Sequence, residues 1–131
     1  MATKKIFSLL LRLLAAVILL QTLFFKFSAA PESVYIFSAV GIEPWGRIGT
    51  GVAELIAAIL LLIPSTIVLG AIMGIGLMLG AVATHLFVLG IEVMDDGGQL
   101  FIYALLVLIA SCILFVQNRQ KLLQLKTKIH L

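Results

Sequence analysis

"GVAELIAAILLLIP", residues 51–64, contains one carboxylate in an otherwise apolar run, and no polar side chain follows Glu54 until Ser65. A helix that crosses the hydrocarbon of a bilayer needs roughly 20 predominantly apolar residues, and this stretch reads as the inner part of one. A charged side chain at such depth costs roughly 2.5–3.5 kcal/mol on insertion scales. Each Leu or Ile returns only about 0.3–0.6 kcal/mol. The segment can absorb one acid but gains nothing by it, so Glu54 must face protein or water, with a partner.

The composition extends this reading to the whole chain. Of 131 residues, 63% are hydrophobic and 11% charged, against about 45–50% and about 25% in a soluble domain. Charge this scarce cannot cover a water-facing surface, so the solvent is a bilayer and lipids are the first partners. The single cysteine, Cys112, excludes an intramolecular disulfide and a CxxC redox pair. The basic residues sit toward the chain ends and build no nucleic-acid-binding face.

Four apolar stretches are long enough to span, at about 6–26, 45–63, 67–89 and 99–117. Helices are required because lipid offers no partner to backbone N–H and C=O groups. The expected fold is all-α: an integral membrane four-helix bundle over one domain, residues 1–131, with a basic tail at 118–131. Lys4 and Lys5 at one end and Arg119, Lys121, Lys126 and Lys128 at the other place both termini in the cytoplasm by the positive-inside rule, which an even number of spans satisfies. The loop "GIEVMDDGG" is acidic and falls outside. Lys26 and Arg47 break the rule at the outer ends of the first two spans, which suggests a task for them. A rival reading makes the first span a signal peptide, but its apolar run exceeds the usual 7–15 residues and Arg12 interrupts it.

"PST", 64–66, predicts a tight turn between antiparallel neighbours. Between the first two spans, Pro31 fits a helix start and Gly41 a helix stop. Val34, Phe37 and Val40 recur at helical spacing. A short interfacial helix is expected there, capping the bundle, with Trp45 as an anchor. Gly70 and Gly74, and again Gly76 and Gly80, have the spacing that lets membrane helices approach closely, within one chain or between copies in a homo-oligomer.

The polar residues then sort by depth and face. At 1.5 Å per residue, Glu54 lies about 10 Å below the outer boundary, and His85 and Tyr103 about 7 Å. Arg47, Thr50, Gly51 and Glu54 share one side of the second span, Thr22 and Lys26 a side of the first. Met78, Ala81, His85 and Glu92 share a side of the third, and Gln99 and Tyr103 a side of the fourth. Turned inward, these faces form one polar pocket in the outer half of the membrane. In the inner half only Arg12 stands out, placed to snorkel toward the cytoplasmic interface. Each polar residue has a blander use: His85 as a structural histidine, Lys26 and Arg47 as interfacial cations, Tyr103 as a belt residue, and a Glu–Lys or Glu–His pair as a device for packing specificity.

Here the chain resembles the DoxX-like family of small four-span membrane proteins. The resemblance runs from "LLRLLAAVILLQTLFFKF" to the last span, through Lys26, then Phe37, Gly41 and Pro44, then "GTGVAELIAAILLLIP" with Gly51 and Glu54, then His85. It implies the four-span fold and a link to membrane oxidoreductase systems, in the bacterial inner membrane. No CxxC, no GxGxxG loop and no haem pair is present, since His85 and His130 fall on opposite sides. No self-contained redox or hydrolytic centre is visible, so a partner oxidoreductase subunit or a bound quinone would carry the electrons.

The resulting expectation is an accessory subunit with an outer-leaflet pocket for a quinone or similar amphiphile. Glu54 and His85 would hydrogen-bond the head group or move protons to it. Lys26 and Arg47 would hold Glu54 charged or bind an anion, and Gln99 and Tyr103 would complete the lining. No metal is expected, because one His and one Glu are too few ligands. Two other readings stay open: a small transporter or permeation subunit, and a structural assembly partner without ligand.

Overall fold

The computed structural model describes the backbone of residues 2–128 and the side chains of residues 3–120. The tail side chains Lys121, Lys126 and Lys128, and His130, therefore lie outside the described residues. Among the described residues the chain is all-helical: α1 (Ala2–Phe27), α2 (Pro31–Val40), α3 (Trp45–Leu62), α4 (Ile67–Thr84) and α5 (Gln99–Lys128). A 3₁₀ turn, Pro64–Thr66, joins α3 to α4, and a π-helical turn, His85–Leu89, extends α4. Four helical segments have the length and apolarity to cross a membrane: Thr3–Phe27, Trp45–Leu62, Pro64–Leu89 and Gln99–Gln120. The chain is an integral membrane protein built as a four-helix bundle.

The long helices form a ring in which α1 packs on α3, α3 on α4, α4 on α5 and α5 on α1. Small side chains make the close approaches. Ala15, Ala16, Ala57, Ala58, Ala71 and Ala110 are almost completely buried, and Leu19, Leu61, Val107 and Leu114 fill the spaces between them. A methyl group on Gly70 would lie 2.8 Å from the Leu61 backbone nitrogen, and one on Gly74 would lie 2.5 Å from Ser111 Oγ. These two glycines bring α4 against α3 and α5 within the chain. Gly76 and Gly80 differ, since a methyl on either meets nothing within 4 Å. Large apolar side chains such as Val17, Phe24, Leu79, Phe87 and Ile109 point outward, where lipid replaces water as their surroundings.

Arg12 reaches the C-terminal end of α3. Its Nε donates to the Leu61 carbonyl at 2.6 Å and its Nη2 to the Leu62 carbonyl at 2.7 Å. The last carbonyls of a helix have no intrahelical donor, and in lipid that deficit is costly, so the guanidinium is held on the end of α3.

The opposite end of the bundle is roofed. Pro31 starts α2, and Gly41 stops it in the left-handed conformation at φ 85°. The helix lies against α1, α3 and the π-helical turn. Beside it, the loop after the turn is organised by Asp96, whose carboxylate accepts the backbone N–H groups of Val93 (3.0 Å), Gly98 (2.8 Å) and Leu100 (3.2 Å).

Candidate functional site

Glu54 sits in the middle of α3 and is 3% exposed. Gly51, three residues earlier, explains how a partner reaches it. A methyl on Gly51 would lie 2.8 Å from the Phe27 ring, so the glycine lets the end of α1 close on α3. Thr22 and Lys26, one turn apart on α1, are thereby brought to the carboxylate. Lys26 Nζ lies 3.2 Å from Oε1 and 3.2 Å from Oε2. Thr22 Oγ1 lies 3.0 Å from Oε2 and 2.8 Å from the Leu19 carbonyl. A hydroxyl has one proton, so Thr22 shares it between a main-chain carbonyl and the acid. Paired and hydrogen-bonded in this way, a buried carboxylate is tolerable in a bundle interior.

Arg47, 7% exposed, is placed elsewhere than beside Glu54. Its Nε donates to both Glu43 carboxylate oxygens, at 2.9 and 3.0 Å, and its Nη1 donates to the Lys26 carbonyl. It joins the loop before α3 to the end of α1, and so holds the backbone from which Lys26 reaches Glu54.

His85 opens the π-helical turn and is 5% exposed. Its Nδ1 lies 3.1 Å from the Gly90 carbonyl, and its ring meets Phe101 edge-on at 5.5 Å between centroids. A carbonyl only accepts, so Nδ1 carries a proton. Asp96 lies within electrostatic reach of His85. Burial pushes the Asp96 carboxyl up, but its backbone hydrogen bonds from Val93, Gly98 and Leu100, with the field of His85, outweigh this and hold it below its ordinary value. On α5, Gln99 Nε2 donates to the Tyr103 hydroxyl at 2.7 Å.

These groups surround one partly open cavity of about 560 Å³ in the roofed half of the bundle. Lys26, Glu54, His85, Gln99 and Tyr103 all line it, as do Phe37 and Val40 of the roof. Arg47 does not, and Glu92 is exposed in the loop beyond α4. Glu32, Ser33 and Asp96 also line the cavity and were missed as site residues. Of the three, Asp96 left a signal: "DDGG" before an apolar run marks an acid able to bind the first N–H groups of a helix. Apolar side chains complete the walls, Ile18, Leu19, Leu77 and Met78 from α1 and α4 and Ile36, Phe37 and Val40 from α2. Gly76 and Gly80 also line the cavity, and their missing side chains keep it open. Among the described residues no group of three or more His, Cys, Asp or Glu side chains is placed to hold a metal ion.

Fold and site together define a small helical membrane protein with a partly open cavity whose walls combine apolar side chains with a few polar and charged ones. The chain belongs to the DoxX-like family, whose sequence profile matches residues 10–114. No curated protein and no solved structure gives a significant match.

Proposed function

We propose that this chain is an accessory subunit of a membrane redox system whose cavity receives the head group of a quinone or a similar amphiphile. The observation that supports the reading is one cavity whose mostly apolar walls carry a few grouped polar side chains, Lys26, Glu54, His85, Gln99 and Tyr103, beside Ile18, Leu77 and Met78. Ligand pockets combine apolar walls with a few placed polar groups. An amphiphile would lie head toward the roof and tail toward the bilayer centre. In this reading the roofed end faces the outer leaflet of a bacterial inner membrane, and both chain ends face the cytoplasm.

Glu54 and His85 would hydrogen-bond the head group or exchange a proton with it. Lys26 would hold Glu54 in place, Arg47 would fix the main chain of Lys26, and Gln99 with Tyr103 would complete the polar end. A quinone, when bound, supplies two-electron chemistry that these side chains lack, and a partner oxidoreductase subunit would deliver or withdraw the electrons. Below the cavity, Ala57, Ala58, Leu61, Val107 and Leu114 are buried with Ser111 as the one fully buried polar side chain beside them among the described residues, which favours binding over a permeation path.

Native mass spectrometry of the gently solubilised protein tests the proposal, with wild type beside Glu54→Gln. The expected result is a stoichiometric amphiphile adduct on the wild type that is lost or weakened in the variant. Equal adducts on both proteins would remove Glu54 from the site. No adduct on either would make the polar groups internal fasteners and turn the search to protein partners.

A further inference from the structure

We infer that Gln21 is a further ligand-contacting residue: its side-chain amide hydrogen-bonds an oxygen of the amphiphile's head group where the cavity opens toward lipid. This assignment rests on the reading of the cavity as an amphiphile site and adds a residue to it.

The position of Gln21 carries it. The residue lies within the apolar span Thr3–Phe27, about 9 Å of helical rise from Phe27. Side chains three and four residues away are its neighbours on a helix surface, and here they are Val17, Ile18, Phe24 and Phe25. Val17 and Phe24 are 62% and 70% exposed and face lipid. Ile18 and Phe25 line the cavity. Gln21 stands between the two pairs, exposed and also part of the cavity lining. It therefore marks an edge where cavity and bilayer meet. Its amide has no hydrogen-bond partner among the described residues.

That combination is costly unless a ligand relieves it. An amide in apolar surroundings is unfavourable unless hydrogen-bonded, and hydrocarbon supplies no partner. Leu at the same place would favour the span instead. The adjacent Thr22 reaches Glu54 at 3.0 Å, so the turn that carries Gln21 is fastened to the acid. A head group entering beside α1 meets Gln21 on its way to Glu54 and Lys26. A carboxamide donates through its N–H groups and accepts through its oxygen. It serves a carbonyl or a hydroxyl alike, whatever the protonation of the groups around it. Hydrogen bonding to a second copy is the other common use of an amide in a span; a place in the cavity lining favours the ligand.

The experiment titrates the full chain in lipid nanodiscs with decyl-benzoquinone and, separately, with decylbenzene, which has the same tail and a ring without oxygens. Native mass spectrometry reads occupancy and oligomeric state for wild type and Gln21→Leu. Quinone affinity should fall about tenfold in the variant, while decylbenzene binding stays unchanged. Gln21→Met, which keeps an unbranched side chain without the amide, should behave alike and decides where Gln21→Leu fails to fold. Unchanged quinone affinity would overturn the inference and leave the amphiphile reading intact. Equal losses for both probes would also overturn it, because they would report a change of shape. A wild-type oligomer lost in the variant would overturn it in favour of contact between copies. A wild type that does not bind the quinone overturns the inference, and one that binds neither probe overturns both readings.

Discussion

Lys26 lies 3.2 Å from both carboxylate oxygens of Glu54, across the contact between α1 and α3. Both side chains are largely withdrawn from solvent, so neither charge has an alternative partner of equal quality. Removing one partner of a buried pair leaves the other uncompensated. Lys26→Met is therefore expected to destabilise the bundle by about 3 kcal/mol. The double variant Lys26→Met with Glu54→Leu should recover most of that loss. Thermal unfolding in detergent, followed by Trp45 fluorescence, measures both, and a double variant no better than the single would contradict the pairing.

Arg47 does two jobs with one guanidinium: Nε serves the Glu43 carboxylate and Nη1 the Lys26 carbonyl. A lysine is a point charge without the fork that spans both partners. Arg47→Lys should lower stability by about 1–3 kcal/mol, the cost of leaving a buried acceptor unpaired. Amphiphile binding should stay unchanged, because Arg47 lies outside the cavity lining. Ligand titration and melting of the same sample separate the two effects.

The pH behaviour of the roofed end follows from Asp96. Its folded carboxyl titrates below the ordinary 3.8, because the backbone bonds and the field of His85 outweigh burial. A group with a depressed folded value contributes stability above its unfolded value and loses it as pH falls through the folded one. The melting-temperature difference between wild type and Asp96→Asn should therefore persist from neutral pH to about 5 and shrink below 3.8. A difference that already shrinks between neutral pH and about 5 would show that another group controls the loop.

The glycines of α4 should divide into two classes. Gly70→Ala places a methyl 2.8 Å from the Leu61 backbone nitrogen, where backbone must move, at a cost of about 1–3 kcal/mol. Gly76→Ala and Gly80→Ala meet open space and should be neutral, or stabilising by up to about 1 kcal/mol through helix propensity. Gly80→Leu should weaken amphiphile binding without lowering the melting temperature, since it fills cavity and not contact. Binding that survives Gly80→Leu unchanged would place the ligand away from this wall.

Much of this was legible along the chain. The apolar runs, "PST" between the second and third spans, and Pro31 with Gly41 all mark elements found in the structure, because hydropathy, turn chemistry and helix caps are local. The depth of Glu54 was legible too, since helical rise converts residue number into height. That is why Lys26, Glu54, His85, Gln99 and Tyr103 could be grouped before any coordinates. Azimuth and reach were harder. Arg47 shares a helix side with Glu54, yet its guanidinium turns back to Glu43, where both carboxylate oxygens accept from Nε one turn away. Arg12 was legible as an interruption of a span, but its acceptors, the Leu61 and Leu62 carbonyls, come from a helix almost fifty residues on.

The sequence by itself determined that four helices cross a membrane and that one buried acid among them needs a partner, because both follow from the transfer free energies of contiguous segments. Only the tertiary structure decided which partner. The glycine contacts at Gly51, Gly70 and Gly74 set which helices approach closely and at what rotation. That rotation gives Lys26 to Glu54 and places His85 in the cavity wall.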